Sequence, residues 1–159
     1  FVGFKKGVGD NFTWPTPLRR PPPTVGCLLY DLMKARHWRG AESWRDLASE
    51  IAPTLVGGSK KHGGPDLGPT RAKRAWATLS VDGHGLADLA PDLNFVGMPR
   101  LTPRMTARVQ GFDDDWQFFG KKTAAYRQIG NAFPPPVARA VAAQIMLALK
   151  QGKRAARVA

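Results

Sequence analysis

The sequence has a single cysteine, Cys27, and no uninterrupted run of about 18 apolar residues. One cysteine cannot form an internal disulfide, which excludes a disulfide scaffold and favours a reducing compartment. We expect no membrane-spanning segment because no apolar run is long enough. We also expect no secretory signal, because no charged-then-apolar leader opens the chain. The sequence therefore predicts a cytoplasmic protein with no membrane partner.

Acidic residues are also scarce. Twelve Asp and Glu stand against 24 Lys and Arg among 159 residues, which gives a formal net charge of +12. The excess is spread along the whole chain and favours a polyanionic partner such as nucleic acid, since each neutralised phosphate releases counterions. A basic protein with no nucleic-acid role is the alternative that charge alone leaves open.

Clusters of chemically reactive side chains are absent as well. The three histidines, His37, His62 and His84, show no metal-ligand spacing with Cys27. Cys27 lies in the apolar sequence VGCLL and is interpreted as a small packing residue rather than a nucleophile. We predict no catalytic residue and no metal site in these 159 residues.

Glycine (17 residues) and proline (14 residues) are abundant, so a compact but loop-rich protein is expected. The chain begins at Phe1 with a segment that resembles the end of a buried strand, and we expect it to be cut from a longer chain or to pair with something. Local patterns predict a strand end at 1–5, a turn at 7–11, a proline-rich connector at 14–23 and a short helix or turn within 25–38. Further along they predict a basic helix at 70–76 capped by Thr70 and an irregular stretch at 81–99.

Residues 57–64, GGSKKHGG, combine four glycines with two lysines and a histidine. Glycine allows a backbone to approach a rigid surface closely, and lysine supplies charge for phosphate. On these residues alone, a DNA-contacting loop and a solvated surface loop are equally good interpretations.

The last third of the chain has clearer helix signals. Thr102 is a good N-cap, Pro103 suits the first helical position, and Gly111 is placed to end that helix. Further on, an apolar stripe recurs every four residues and predicts an amphipathic helix ending near Gly152. The stripe consists of Val137, Val141, Ile145 and Leu149.

Residues 99–116, PRLTPRMTARVQGFDDDW, resemble the ninth conserved motif of the DNA (cytosine-5)-methyltransferases. Residues 126–138, YRQIGNAFPPPVA, resemble the tenth motif of the same family. The two motifs stand in the family's order and a short distance apart, and residues 1–5 look like the strand that follows the eighth motif. The resemblance covers the whole chain, although the middle matches only by position and a few residues.

The resemblance implies that residues 14–99 are the target recognition domain, the variable segment that reads DNA. Its mark in the family is a Thr followed by Leu, Ile or Val before a glycine-bearing loop, which Thr54 and Leu55 match. Thr54 would then contact a phosphate near the target cytosine. The full set of implied DNA-binding residues is Thr54, Leu55, Gly57, Gly58, Ser59, Lys60, Lys61, His62, Arg71, Lys73 and Arg74.

The resemblance also implies that residues of the tenth motif line the pocket for S-adenosylmethionine. Gly130 and Asn131 are expected to form a turn ahead of the final helix. Asn131 and Ala132 would touch this cofactor, and the glycine at position 130 would allow the backbone to approach the cofactor closely. The final helix would pack on the catalytic domain. Two departures from the family pattern occur, Met105 in place of Glu and Asp113 in place of Pro. Loss of the Glu predicts a weaker helix start, because half of a capping box is removed.

The implied fold is α+β: a loop-rich recognition and small domain with a C-terminal amphipathic helix that packs on a separate α/β, Rossmann-like catalytic domain. The expected boundaries are 1–13 for the strand end, 14–99 for the recognition domain, 100–128 for the ninth-motif helix and turn, 129–152 for the tenth motif and returning helix, and 153–159 for a basic tail.

The family's F-x-G-x-G cofactor loop, Pro-Cys-Gln loop and Glu-Asn-Val motif do not occur in these 159 residues. We therefore expect the chain to work with a catalytic domain or subunit, either as part of a longer chain or as the smaller half of a split enzyme. Together they would transfer a methyl group from S-adenosylmethionine to C5 of a flipped cytosine in a specific duplex site, in a bacterial restriction–modification setting. The chain alone is predicted to be inactive. The alternative is a stand-alone basic DNA-binding module without catalysis.

Overall fold

A computed structural model describes residues 1–6, 8–17, 19, 21–57 and 64–158, with side chains up to residue 152. The described residues contain six helices and no strand. The helices are α1 (Val25–Lys34), α2 (Ala41–Leu47), α3 (Thr70–Ala77), α4 (Pro103–Gln110), α5 (Lys122–Asn131) and α6 (Pro135–Val158). The chain divides into two compact units, Pro22–Ala132 and the pair of segments Phe1–Pro21 and Phe133–Ala159.

The α+β expectation is met only in its helical part. A strand requires hydrogen bonds to a neighbouring strand, and residues 1–5, predicted as a strand end, have no such pairing in the described part of the chain. The irregular stretch expected at 81–99 is confirmed, and of the helix or turn expected within 25–38 the helix is observed. Cys27, predicted to be a packing residue, is instead exposed on this helix. The predicted domain boundaries stay predictions.

Helix α1 forms the centre of the Pro22–Ala132 unit. The Thr24 side chain caps its start by accepting a hydrogen bond from the Cys27 backbone nitrogen. Val25, Leu29 and Met33 lie one turn apart and are fully buried. Around this stripe pack the remaining buried apolar residues of the unit, among them Trp38, Trp44, Leu67, Trp76, Leu101, Met105, Tyr126 and Ile129.

Helix α4 has the predicted boundaries. Thr102 Oγ1 accepts a hydrogen bond from the Met105 backbone nitrogen at 3.2 Å, and Gly111 ends the helix in the left-handed region with φ of 89°. The expected loss of half the capping box is wrong, because Met105 Sδ accepts from the Thr102 backbone nitrogen at 3.4 Å. A thioether sulfur is a weak acceptor but here replaces the carboxylate of the family pattern.

Two other helix boundaries differ from the sequence-based prediction. Thr70 does not cap α3; it is the first helical residue, and Pro69, which has no side-chain acceptor, occupies the N-cap. Gly130 and Asn131, expected in a turn, form the last two residues of α5. The C-cap of α5 is Ala132, in an extended conformation, so the break falls two residues later than expected.

Helix α6 has 24 residues and runs through Gly152, where the sequence predicted its end. The residues beyond, KRAARV, include good helix formers, which outweigh one glycine. The predicted basic tail at 153–159 is therefore mostly helical in backbone, and its side chains lie outside the described residues.

The predicted apolar stripe of α6 is only partly open to solvent. Val141, Ile145 and Leu149 are half-buried, whereas Val137 is 46% exposed. The N-terminal segment of the same unit lies along this helix: Thr13 Oγ1 donates to Gln144 Oε1 at 3.4 Å. Val8 also lies near this helix, since its carbonyl oxygen would be 3.3 Å from a Cβ atom added to Gly152. Thr13 and Val8 therefore contact the helix that was predicted to pack on a catalytic domain.

The stretch Lys122–Gly152 is long and apolar enough to cross a membrane by length and composition, because an 18-residue window within it has a mean hydropathy of 1.3. This departs from the expectation that no segment would qualify. It spans α5, a break at residues 132–134 and the alanine-rich part of α6. Length and composition are weak evidence for a membrane helix, because core helices of soluble proteins pass the same criteria. The absence of a membrane partner stays a prediction.

Candidate nucleic-acid interface

The segment that opens the glycine-rich loop has no regular secondary structure, and its residues alternate between surface and core. Thr54 is exposed, Leu55 is 6% exposed, and Val56 is 45% exposed. The buried Leu55 side chain fixes the segment on the body of the unit. Thr54 is thereby presented to solvent on a fixed backbone, as a phosphate contact requires.

A buried tyrosine of the tenth motif holds the same segment. Tyr126 Oη donates a hydrogen bond to the Val56 carbonyl oxygen at 3.2 Å, and the side chain is 1% exposed. Burial, and secondarily the charge of Asp66, raises the pKa of Tyr126 to about 12. The phenol therefore stays protonated at neutral pH and remains a donor to Val56.

Two glycines cross where this segment meets the end of α5. A Cβ atom built on Gly130 would lie 2.6 Å from both the Cα and the nitrogen of Gly57. A Cβ atom built on Gly57 would lie 2.2 Å from Asn131 Oδ1 and 2.7 Å from the Asn131 backbone nitrogen. Real Cβ atoms essentially never approach this closely, so only glycine fits at both positions.

The structure thus brings together two sets of residues predicted separately. Gly57 belongs to the implied DNA-binding set, and Gly130 and Asn131 belong to the implied cofactor set. The resemblance implied that Gly130 lets its backbone approach the cofactor. In the structure, the backbone that lies against Gly130 is that of Gly57.

The described residues that follow the loop lie close to the segment that precedes it. At Gly68, whose φ is 108°, an added Cβ would lie 3.5 Å from the Cβ of Val56. The Gly68 backbone nitrogen donates to Asp66 Oδ1 at 3.0 Å. The predicted contacts between these ends, at Gly58, Ser59, Lys60, Lys61 and His62, lie outside the described residues.

The three predicted basic contacts on α3 differ in their surroundings. Arg71 and Arg74 are exposed. Lys73 Nζ instead forms an ion pair with Asp66 Oδ2 at 2.8 Å, and both side chains are less than one-quarter exposed. Arg71 and Arg74 are therefore the described α3 residues most available to a phosphate backbone.

The implied cofactor residues are at the C-terminal end of α5. The Asn131 side chain is exposed, and the Ala132 carbonyl oxygen accepts a hydrogen bond from Gln110 Nε2 at 2.8 Å. Gln110 belongs to the ninth motif, so this bond joins the two motifs.

A cavity of about 410 Å³ lies elsewhere, along the irregular stretch that includes Asp82, Phe95 and Arg100.

Arg108 makes the most extensive polar contacts of the ninth motif, and sequence reasoning missed its role. Its guanidinium bonds the carboxylates of Asp31 and Asp114 and donates to the Leu28 carbonyl oxygen at 3.2 Å. These hydrogen bonds raise the pKa of Arg108 and lower the pKa of both carboxyl groups. Arg108 therefore ties α4 to α1 and to the turn after α4. Asp31 lies 77 residues before Arg108 in the sequence, so no local sequence pattern could indicate this contact.

Asp82 organises the irregular stretch that precedes α4. Burial alone would raise the pKa of its carboxyl group. Hydrogen bonds from the His84 backbone, the Arg100 side chain and the His84 ring outweigh burial and lower this pKa from 3.8 to about 2. Arg100 Nε lies 2.8 Å from Asp82 Oδ2.

This shift predicts an acid-sensitive contribution to stability. Because the folded pKa lies below the unfolded value, the contribution of Asp82 is fully present above about pH 4 and is lost as the pH falls through about 2. We expect Asp82→Asn to lower the free energy of unfolding by on the order of 1–2 kcal/mol at about pH 6, with a smaller difference near pH 3. Urea titrations at both pH values measure this, and an Asp82→Asn penalty that does not shrink in acid would contradict it.

Among the described residues, no group of three or more His, Cys, Asp or Glu side chains is arranged to hold a metal ion. The predicted lack of a metal site in the whole chain stays a prediction.

The family model for C-5 cytosine-specific DNA methylases matches residues 39–147. The chain therefore belongs to the C-5 cytosine-specific DNA methylase family. This confirms the resemblance drawn from the two C-terminal motifs.

Two relatives match almost the whole chain. The Type II methyltransferase M.NaeI of Lentzea aerocolonigenes is 61% identical over 152 residues, which cover 93% of this chain and 36% of M.NaeI. The Type II methyltransferase M.NgoMIV of Neisseria gonorrhoeae is 53% identical over 160 residues, covering 95% of this chain and 48% of M.NgoMIV. The chain thus spans less than half the length of either relative. No solved structure matches the chain.

A third relative matches a smaller part. The Type II methyltransferase M.Bpa9945I of Bacillus paralicheniformis is 46% identical over 59 residues, or 37% of this chain. The likeness to M.NaeI and M.NgoMIV therefore extends over a much larger share of the chain.

Proposed function

We propose that this chain supplies the DNA-recognition and cofactor-pocket-closing part of a DNA (cytosine-5)-methyltransferase. The observation that carries the proposal is the junction of the Thr54–Gly57 backbone with the end of α5. It joins the predicted recognition segment to the predicted cofactor segment, in a chain of the methylase family. A Rossmann-like catalytic domain or subunit and S-adenosylmethionine complete the proposed enzyme.

On the DNA side, three described side chains fit the proposed role. Thr54 is exposed on an anchored backbone and offers a hydroxyl to a phosphate oxygen. Arg71 and Arg74 are exposed on α3 and carry the charge that phosphate neutralisation requires. Lys73 is assigned a structural role instead, because Asp66 already pairs with it.

On the cofactor side, Asn131 fits the proposed role best. Its exposed amide offers both a donor and an acceptor at the end of a helix held by buried residues. Gly130 contributes indirectly, since Gly57 covers it. Gln110 keeps the Ala132 carbonyl oriented by its hydrogen bond. S-adenosylmethionine, when bound, supplies the methyl group.

We also propose that the enzyme methylates the same duplex sequence as M.NaeI. In the family, the variable segment reads the target, and here it corresponds to residues 14–99. The M.NaeI match covers 93% of the chain at 61% identity, so it includes most of that segment. M.NgoMIV matches the chain to a similar extent and is expected to share the target.

Methyl transfer from labelled S-adenosylmethionine tests the proposed activity. The protein expressed from its native gene, with the neighbouring gene product where the catalytic motifs lie there, is expected to label unmethylated plasmid DNA at cytosine C5. The 159-residue chain alone is expected to bind DNA weakly, with affinity that falls steeply with salt, and to transfer no methyl group. DNA binding without transfer in every combination would favour the stand-alone binding module instead.

A sequential experiment tests the shared target. Plasmid DNA treated to completion with M.NaeI is expected to accept almost no further label from the enzyme carrying this chain, whereas mock-treated plasmid accepts it. Equal labelling of the two plasmids would contradict the shared target and leave the methyltransferase activity itself established.

A further inference from the structure

We propose that the Gly57–Gly130 crossing is a positioning contact that couples cofactor binding to the placement of the DNA-recognition loop. The inference rests on the proposed function and deepens it. It assigns Gly57, Gly130 and Tyr126 a role in linking two binding events, which are otherwise assigned to separate parts of the chain.

The contact is made by backbone atoms on both sides. Gly130 faces the Cα and nitrogen of Gly57, and Gly57 in turn faces the backbone nitrogen of Asn131. Flexible side chains can change rotamer to absorb a displacement, but two backbones in contact cannot. A shift in the last turn of α5 must therefore move Gly57, or the crossing must open.

Buried residues hold both segments of the Gly57–Gly130 crossing in place, and the predicted recognition loop follows directly after it. Tyr126 and Ile129 bury α5 in the core, and Tyr126 also bonds the Val56 carbonyl. Leu55 is buried just before the crossing. The predicted recognition loop starts immediately after Gly57.

The residue predicted to contact the cofactor is next to the crossing. Asn131 follows Gly130 directly in α5, and its side-chain oxygen lies beside the Cα of Gly57. A ligand that holds the Asn131 amide therefore also holds a side chain that packs against Gly57. Ordering of the Asn131 side chain reduces the conformational freedom near Gly57 that DNA binding must remove. Binding of the cofactor therefore increases the affinity for DNA, and binding of DNA increases the affinity for the cofactor.

The experiment measures the affinity of the enzyme expressed from its native gene for a duplex carrying the target sequence. Fluorescence anisotropy gives the dissociation constant with and without saturating S-adenosylhomocysteine, a non-reacting cofactor product. We expect the wild type to bind DNA at least about 5-fold more tightly with S-adenosylhomocysteine. In Gly57→Ala and Gly130→Ala, we expect this ratio to fall to about 1.

Gly130→Ala is informative because alanine is a better helix former than glycine. A loss in this variant therefore cannot arise from helix propensity. Gly3→Ala is the control, since Gly3 lies outside the loop and an added Cβ meets nothing within 4 Å. We expect Gly3→Ala to retain the wild-type ratio.

Tyr126→Phe covers the case in which the glycine variants fail to fold. It removes only the hydrogen bond to Val56 and keeps the packed ring, and we expect an intermediate ratio. A merely structural role would weaken DNA binding equally with and without S-adenosylhomocysteine and leave the ratio unchanged.

Two results would overturn the coupling. The first is a ratio of 1 in the wild-type enzyme. The second is an unchanged ratio in folded Gly57→Ala and Gly130→Ala or, where these variants do not fold, in Tyr126→Phe. A wild-type protein that binds no DNA in either condition would instead remove the proposed function on which the coupling rests.

Discussion

Gly26→Ala is expected to lower the free energy of unfolding of the Pro22–Ala132 unit by about 3 kcal/mol. An added Cβ would lie 2.1 Å from the carbonyl oxygen of Arg45 and 2.8 Å from its carbonyl carbon. The neighbouring backbone cannot retreat easily, because the Gly26 nitrogen donates to the Ala48 carbonyl oxygen at 2.8 Å. Alanine would force α1 and α2 apart.

Urea unfolding followed by tryptophan fluorescence measures this effect. Because alanine favours a helix over glycine by about 1 kcal/mol, a loss of stability must come from the contact with Arg45. Gly64→Ala serves as the control in the same unit, and we expect little change there. Equal stability of Gly26→Ala and wild type would mean that α1 and α2 do not pack at this distance.

Arg108→Met is expected to cost about 2 kcal/mol of unfolding free energy. The Arg108 side chain is 17% exposed, and its guanidinium joins Asp31, Asp114 and the Leu28 carbonyl, so its removal leaves three acceptors without their donor. The cost is held below that of a fully buried pair because both carboxylates are more than half exposed.

The matched control for Arg108 is Arg71→Met, the same substitution at an exposed position on α3. We expect a change within about 0.5 kcal/mol there. Similar losses in the two variants would show that the contacts of Arg108 contribute little to folding. Any effect of Arg71→Met should appear instead as weaker and less salt-dependent DNA binding.

Local sequence signals explain which helices could be predicted. α4 was predictable because its start and end depend on the neighbouring residues Thr102, Pro103 and Gly111, each of which fixes the backbone within a turn. α2 was missed because its N-cap, Gly40, provides no side-chain hydrogen bond. The turn predicted at Gly130 and Asn131 is wrong, because the buried Ile129 keeps these two residues in the last turn of α5.

The candidate site was predictable in its parts but not in its assembly. The motif resemblance selected Gly57 and Gly130 separately, because each belongs to a local pattern. Their proximity depends on contacts between residues 70 or more positions apart, such as the hydrogen bond from Tyr126 to Val56. No local pattern encodes such a contact. Asp31 could not be predicted as the partner of Arg108 for the same reason, because the two residues are 77 positions apart.

The capping of α4 shows how one residue type can replace another. The family pattern places a carboxylate three residues after the N-cap, and Met105 was expected to lose that hydrogen bond. Instead, the side chain lies in the core at 1% exposure with its sulfur 3.4 Å from the Thr102 nitrogen. Side-chain geometry, rather than residue class, decides whether the acceptor is present.

We propose that this chain belongs to an enzyme that methylates cytosine at C5 in a specific duplex sequence. The most direct test is to express the native gene, together with the neighbouring gene where it encodes the catalytic motifs, in a host without cytosine methylation and to map 5-methylcytosine across the host DNA. We predict 5-methylcytosine in a single sequence context, and its loss when Gly57 and Gly130 are both replaced by valine. Host DNA without 5-methylcytosine, despite soluble protein that binds DNA, would contradict the claim.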